Sequence, residues 1–170
     1  MELKHKLNFI IESDKFEFRC LNPNDVSDAY IEGLKNENEY LVNNEKEISK
    51  KMQQDYIKKI TNSESSVICG LFLNSILIGT AGIQNLSNKQ KTTVGIFIFN
   101  KDQRQRGFGK TLVWSSTYLI KKSSGIEYIC ANMKKSNIPS LKSFLSCGYQ
   151  IINRNKSEYW VALESKDLIK

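Results

Sequence analysis

QRQRGFGK, residues 103–110, places two glycines one residue apart, with two arginines before them and a lysine after. Its reading decides the fold, because the sequence changes period across it. Before it runs TTVGIFIFN (92–100), a nearly continuous apolar stretch rich in β-branched and aromatic residues, which predicts a strand. After it runs TLVWSSTYLIKK (111–122), in which Leu112, Trp114, Ser115, Leu119 and Ile120 leave an apolar helical face. The stretch is therefore a glycine-rich connection from a strand into a helix. Helix amino termini carry unpaired N–H groups and partial positive charge, and glycine lets that backbone approach a ligand closely. Such a place suits a phosphate, and Arg104, Arg106 and Lys110 would reinforce it. A basic surface turn would use the same residues. The spacing matches neither G-x-x-x-x-G-K-[ST] nor G-x-G-x-x-G.

Working outward, FEFRCL (16–21) alternates as a strand. Asn22 or Asn24 can cap a following helix, with Pro23 near its first turn and Val26, Tyr30 and Leu34 at helical spacing. A polar loop containing Glu39, Tyr40 and Leu41 precedes a second helix from Glu45, where Ile48, Met52, Tyr56 and Ile60 recur every fourth residue. SSVICGLFLN (65–74) and SILIGTAGIQ (75–84) read as two strands about a tight turn at Asn74-Ser75. With 92–100 they predict an antiparallel meander. Beyond the helix at 111–122, Gly125 is a stop and IEYICANM (126–133) a strand. Ser136 or Asn137 can cap a short helix carrying Pro139, Leu141, Phe144 and Leu145, which Gly148 ends. YQIINR and SEYWVALE close the chain as strands about a turn at Asn153–Lys156. The order predicts one α/β (α+β) domain over 1–170, with a mixed central sheet of about six to seven strands and four helices.

The net charge of +7 is uneven. Residues 1–100 hold 12 Lys and Arg against 13 Asp and Glu, whereas residues 101–170 hold 13 against 5. The basic excess thus begins at the quoted stretch and favours an anionic partner. The longest apolar runs fall short of the roughly 18 residues of a membrane span. The amino-terminal MELKHKLNFI has scattered charge and no signal-peptide core, so a cytoplasmic location is expected. Cys20, Cys69, Cys130 and Cys147 are widely spaced and read as free thiols, buried at Cys69 and Cys130. With His5 as the only histidine, no metal site is expected.

The chain resembles a GNAT-type N-acetyltransferase in element order over nearly its full length. Two motifs carry the resemblance. The family's [R/Q]-x-x-G-x-[G/A] loop is similar to Arg104-Gln105-Arg106-Gly107-Phe108-Gly109, and its N-x-x-[A/S] helix ending in glycine-aromatic is similar to Asn137-Ile138-Pro139-Ser140 followed by Gly148-Tyr149. The resemblance implies a GNAT fold and acyl transfer from acetyl-CoA, or another acyl-CoA, to an amine. It implies that Arg104 to Lys110 bind the pyrophosphate. It also implies that the main chain at Ile98 and Phe99 pairs with the pantetheine arm, and that Asn137 contacts the cofactor beside the thioester. An anionic cofactor accounts for the charge asymmetry without nucleic acid or a membrane.

The reaction needs an uncharged amine, a polarised carbonyl and a proton for the leaving thiolate. Family members commonly place a tyrosine acid seven residues after the motif asparagine and a glutamate two residues before the glycine matching Gly95; here those positions are Phe144 and Thr93. Three alternatives remain: Ser140 donates to the sulfur, positioning alone carries the rate, or activity is lost. Ser140 also fits a helix cap, and Asn132, a second polar candidate, also fits a solvated strand end. Glu39 and Tyr40 would bind the amine if the NENEYL loop forms the acceptor site; a solvated acidic loop fits the same residues. The amino-terminal pattern resembles GNAT proteins of surface-polysaccharide pathways, which implies a small-molecule acceptor, a nucleotide-linked (dTDP or UDP) amino sugar. It equally resembles the enzymes that acetylate ribosomal-protein amino termini. A non-catalytic acyl-CoA-binding module is the alternative of another class, and homodimer formation through a sheet edge stays open.

Overall fold

The computed structural model describes residues 11–12, 16–36, 48–123, 125–167 and 169. Eight strands form one sheet: β1 (Ile11–Glu12), β2 (Glu17–Cys20), β3 (Ser66–Leu73), β4 (Ile76–Gln84), β5 (Lys91–Ile98), β6 (Tyr128–Lys134), β7 (Gln150–Arg154) and β8 (Glu158–Glu164). Among the described residues four α-helices accompany it: α1 (Asp28–Asn36), α2 (Lys50–Thr61), α3 (Phe108–Ser123) and α4 (Ile138–Ser146). The seven expected strands are present, and the two-residue β1 adds an eighth at the edge. The sheet order is β1-β2-β3-β4-β5-β6-β8-β7. The first five strands form the expected meander. β6 then joins β5 in parallel, after the α3 crossover, and β8 inserts between β6 and β7.

Alternation along the strands divides the core into two layers. On one face Val94, Ile129, Ala131, Val161 and Leu163 pack with Leu112, Val113, Leu119 and Ile120 of α3 and Leu141 and Phe144 of α4. On the other face Ile68, Phe72 and Leu77 pack with Tyr30, Ile31 and Leu34 of α1, Ile57 of α2, and Phe99. Among the described residues, that second layer covers the β2–β5 half of the sheet. The same face of β6 and β8 carries Cys130, Asn132, Trp160 and Ala162 outside either cluster.

Local chemistry places the element ends. Asn74 and Ser75 take φ of 49° and 63°, as a two-residue hairpin turn requires. Asn155 Oδ1 accepts from the Ser157 and Glu158 N–H groups and shapes the last hairpin. The first helix departs from expectation. Asn22 caps a short 3-10 turn at Pro23–Asp25, closed reciprocally by Asp25, and α1 begins only at Asp28 with Ser27 Oγ accepting from the Tyr30 N–H. The Arg19 guanidinium grips both Asp25 oxygens at 2.8 Å, which ties that turn to β2.

The second helix is also corrected. Ser49 caps it, accepting from the Met52 N–H, so the described helix starts at Lys50. Of the four apolar residues expected at every fourth position, Ile48 and Ile60 join the core, but Met52 and Tyr56 are 43% and 41% exposed, while Gln53 and Ile57 face the core. One residue of rotation is 100° on a helix, and the large apolar side chains lie at the margin of the face that docks.

Candidate active site

β5 and β6 are neighbours only at their starts. Their parallel pairing runs from Lys91↔Tyr128 to Thr93↔Cys130 and ends there. β5 stays paired to β4 through Ile98, and β6 stays paired to β8 through Lys134. The two strands therefore part, and the β5 edge beyond Thr93 faces an opening with no sheet partner among the described residues. Crevices at the carboxyl ends of parallel strands, where the connections diverge, are the usual ligand sites of such sheets. Both helices that follow these strands open there. α3 follows β5 through residues 99–107, and α4 follows β6, with the Asn137 N–H donating to the Lys134 carbonyl at 2.9 Å.

The 103–110 stretch forms the turn into α3. Arg104 Nε and Nη2 both donate to the Ile98 carbonyl at 3.2 and 3.0 Å, which clamps the turn onto the end of β5. This guanidinium acts on the protein's own backbone. Arg106 is exposed and donates to Gln103 Oε1 at 3.1 Å. Gln105 and Gly107 take left-handed φ of 60° and 88° and turn the chain into the helix axis. The Gly107 carbonyl accepts the first helical bond, from the Thr111 N–H at 3.0 Å. The N–H groups of Phe108, Gly109 and Lys110 have no acceptor among the described residues, and the Lys110 side chain is exposed beside them. Phe108 packs against the larger core cluster.

The two glycines do different work. A Cβ at Gly107 would meet nothing within 4 Å among the described residues, so its φ is what demands glycine. A Cβ at Gly109 would stand 2.7 Å from Ser143 Oγ, so this glycine lets α3 close on α4. That contact joins motifs some thirty residues apart. Asn137 is the N-cap of α4, its Oδ1 accepting from the Ser140 N–H at 3.2 Å. Ser140 is half-buried and its Oγ makes no hydrogen bond among the described residues. Ser143, one turn on, donates its Oγ hydrogen to the Pro139 carbonyl.

Ile98 and Phe99 end the strand differently from one another. The Ile98 carbonyl is the one Arg104 holds. Phe99 turns its ring into the α1 layer, 5.1 Å from the Tyr30 ring and against Gly33. Phe144 is 1% exposed and edge-on to Tyr149 at 5.0 Å, so that position serves packing. Tyr149 shares a 2.8 Å hydrogen bond with Thr117 Oγ1, and burial pushes its phenol above the ordinary range. Asn132 is exposed, opposite Trp160 on β8. Thr93 is half-buried at the last β5–β6 pair. Burial also pushes the Cys130 and Cys147 thiols up, so neither presents a thiolate at neutral pH. Glu39 and Tyr40 lie outside the described residues. Ser143 and the paired Gly82 and Gly95 were not singled out from sequence as site residues. For the glycines a signal existed, since glycine inside a strand marks a bulge or a close approach.

Among the described residues no group of three or more His, Cys, Asp or Glu side chains could hold a metal ion. No described helix is long and apolar enough to cross a membrane.

Comparisons with known proteins agree with this geometry. Residues 15–150 match the family model described as an acetyltransferase (GNAT) domain. A comparison with curated proteins finds no significant match. Among solved structures, the ribosomal-protein-S5-alanine acetyltransferase of Vibrio fischeri superposes with a TM-score of 0.80 at 11% identity, over 95% of this chain and 100% of that one. The spermidine N-acetyltransferase of Vibrio cholerae, in complex with CoA and spermine, gives 0.77 at 13% identity, over 90% and 97%. The Campylobacter jejuni N-acetyltransferase PseH gives 0.64 at 20% identity, over 86% and 97%.

Proposed function

Because this chain belongs to the GNAT acetyltransferase family, which transfers acetyl from acetyl-CoA to an amine, we propose that acetyl-CoA lies in the parting between β5 and β6 and that the acceptor is a nucleotide-linked amino sugar. The observation that carries the cofactor assignment is the parting itself, with an uncapped helix amino terminus at its end. The fit is chemical. The Phe108, Gly109 and Lys110 N–H groups, without acceptors among the described residues, and the positive end of α3 suit a pyrophosphate. The exposed Arg106 and Lys110 side chains and the Gln105–Gly107 turn border that end, and Arg104 holds the turn in place. The unpaired β5 edge, up to Ile98 and Phe99, suits an extended amide-bearing arm that adds as a strand.

Bound acetyl-CoA supplies an acetyl group activated as a thioester. The chain's own residues orient the partners and manage protons. Asn137 spends Oδ1 on its cap, which leaves its Nδ2 as the group able to meet the cofactor. Ser140, whose N–H that cap holds, carries the hydroxyl we assign as proton donor, in place of the tyrosine whose position Phe144 fills inside the core. Asn132 and Thr93 border the parting and would orient the amine. With few acid–base groups, positioning carries most of the rate.

The amino-sugar acceptor is supported by the excess of 13 Lys and Arg over 5 Asp and Glu after residue 100, which suits a substrate bearing its own diphosphate. Superposition on the S5-alanine acetyltransferase over 95% of this chain favours a protein amino terminus as the second reading. Titration calorimetry with acetyl-CoA tests the cofactor site. CoA release with UDP-glucosamine, an alanine-ended peptide and spermidine then ranks the acceptors. Turnover confined to the peptide overturns the sugar reading, and absence of acetyl-CoA binding by the folded protein overturns both. Ser140→Ala is expected to slow turnover by about tenfold to a hundredfold with acetyl-CoA affinity kept. An unchanged turnover number removes Ser140 from the chemistry.

A further inference from the structure

The glycines of this protein divide by what a side chain would meet at each. A Cβ at Gly70 would stand 2.4 Å from Leu21 Cδ2, at Gly79 2.7 Å from Ile98 Cδ1, and at Gly33 2.3 Å from Phe99 Cβ. Packing requires those three, as it requires Gly109. Gly107 and Gly148 are required by φ of 88° and 97°. Gly82 and Gly95 have neither reason. Among the described residues nothing lies within 4 Å of a Cβ at either, and neither adopts a left-handed φ. Both sit inside strands, where glycine weakens the element by its flexibility and lack of contacts.

They are also paired. Gly82 on β4 lies directly opposite Gly95 on β5, so the two missing side chains clear one strip on one face. Even-numbered β5 residues Val94, Ile96 and Ile98 pack in the α3/α4 layer, so Gly95 points to the opposite face with Thr93 and Phe97. Phe97 meets the α1/α2 layer, which places the strip at the rim of that layer's cover. It lies one pleat beyond Thr93↔Cys130, where β5 leaves β6. Across the parting, Cys130 and Asn132 face the same side, with Trp160 opposite Asn132 on β8. Gln84, paired with Thr93, flanks the strip on β4. Among the described residues the strip is thus bordered by uncharged hydrogen-bonding side chains and an indole, by apolar Ile68 opposite Gly82 on β3, and by the Lys91 ammonium one pleat back on β5 near Cys130. Such a lining suits a ring bearing hydroxyls; a polyamine would call for carboxylates.

We propose that the Gly82–Gly95 pair is the floor of the acceptor pocket and that its bareness sets acceptor size, admitting an amine carried on a ring. This rests on the acetyltransferase reading of the cleft. Gly95→Leu, Gly95→Ala and Gly82→Ala test it, with Gly125→Ala as the control. Gly125 is exposed, and a Cβ there also meets nothing within 4 Å, but it lies outside the sheet. kcat/KM is measured for UDP-glucosamine, glucosamine and ethanolamine, alongside acetyl-CoA affinity by calorimetry and Tm.

Gly95→Leu is expected to lower the kcat/KM ratio of ring-borne amine to ethanolamine by roughly tenfold or more, with Ala variants between it and wild type. Acetyl-CoA affinity should hold, and Tm should hold or rise, because an added side chain there costs no packing and reduces unfolded-chain freedom. Gly125→Ala should leave the ratio unchanged. An unchanged ratio in Gly95→Leu overturns the proposal. So does a loss of acetyl-CoA affinity as large as the loss of turnover, which would put the strip under the cofactor. Wild-type turnover of ethanolamine alone overturns the ring-borne acceptor. Gly95→Leu then decides the floor separately, since slowed turnover with affinity kept retains it and unchanged turnover removes it. No turnover of any amine overturns the proposal together with the reading beneath it.

Discussion

Helices α3 and α4 begin at the carboxyl ends of neighbouring parallel strands, yet their first turns are finished in opposite ways. In α4 the Asn137 side chain caps the Ser140 N–H, and Pro139 has no N–H to satisfy. Among the described residues one donor without an acceptor, the Ile138 N–H, remains in that turn. In α3 the capping position is Gly107, which has no side chain, and three consecutive N–H groups have no acceptor among the described residues. Both motifs read on paper as ways to start a helix. The difference teaches that one seals its helix and fixes geometry, while the other leaves charge-seeking donors exposed at the cleft. The two ends touch through Gly109 and Ser143, so the open one is positioned by the sealed one.

The strongest way to break this comparison is Gly107→Val. A β-branched residue at φ 88° costs about 1–3 kcal/mol of backbone strain. Relief of that strain would reshape the α3 opening. Acetyl-CoA affinity should fall by about tenfold to a hundredfold, as ~1–3 kcal/mol implies. Calorimetry reads it, and unchanged affinity would mean the open amides are not the anion site. Next comes the contact between the helices. Gly109→Ala should destabilise by about 1–3 kcal/mol through overpacking. Ser143→Ala, which removes the oxygen 2.7 Å away, should restore most of that in the double variant. Urea denaturation of the four proteins measures the coupling, and additive losses would mean the helices are held apart by something else.

The smallest effect is expected at the sealed end. Asn137→Ala should cost about 1 kcal/mol and Asn137→Asp should keep the cap. Thermal unfolding tests this. Acetyl-CoA titration of the Asp variant then separates the roles, because it retains the capping oxygen and loses Nδ2. A variant that is stable but binds acetyl-CoA weakly would add a cofactor contact to the cap.

Much of the fold was legible in the residues. The Asn74-Ser75 hairpin, the 103–110 connection and the stop at Gly148 each rest on local chemistry that survives any tertiary context. Motif spacing likewise brought Gly107, Gly109 and Asn137 forward. Where the reading slipped, the deciding forces were distant. Met52 and Tyr56 stand exposed in the middle of the expected stripe because a spacing of fours says nothing about which margin the sheet will cover. The hold of Arg104 on the end of β5 was likewise invisible, because sequence shows its charge while its partner, the Ile98 carbonyl, is a backbone atom that every residue possesses.

By itself, then, the sequence determined the order of elements, the glycine-rich opening of α3 and the family, since these depend on period, φ and short-range spacing. Only the tertiary structure decided where β5 leaves β6, that β8 rather than β7 pairs with β6, and which glycines make room for a neighbour and which leave space empty. Strand pairing and close packing are relations between residues far apart in the chain, and their energies appear only when the two surfaces meet.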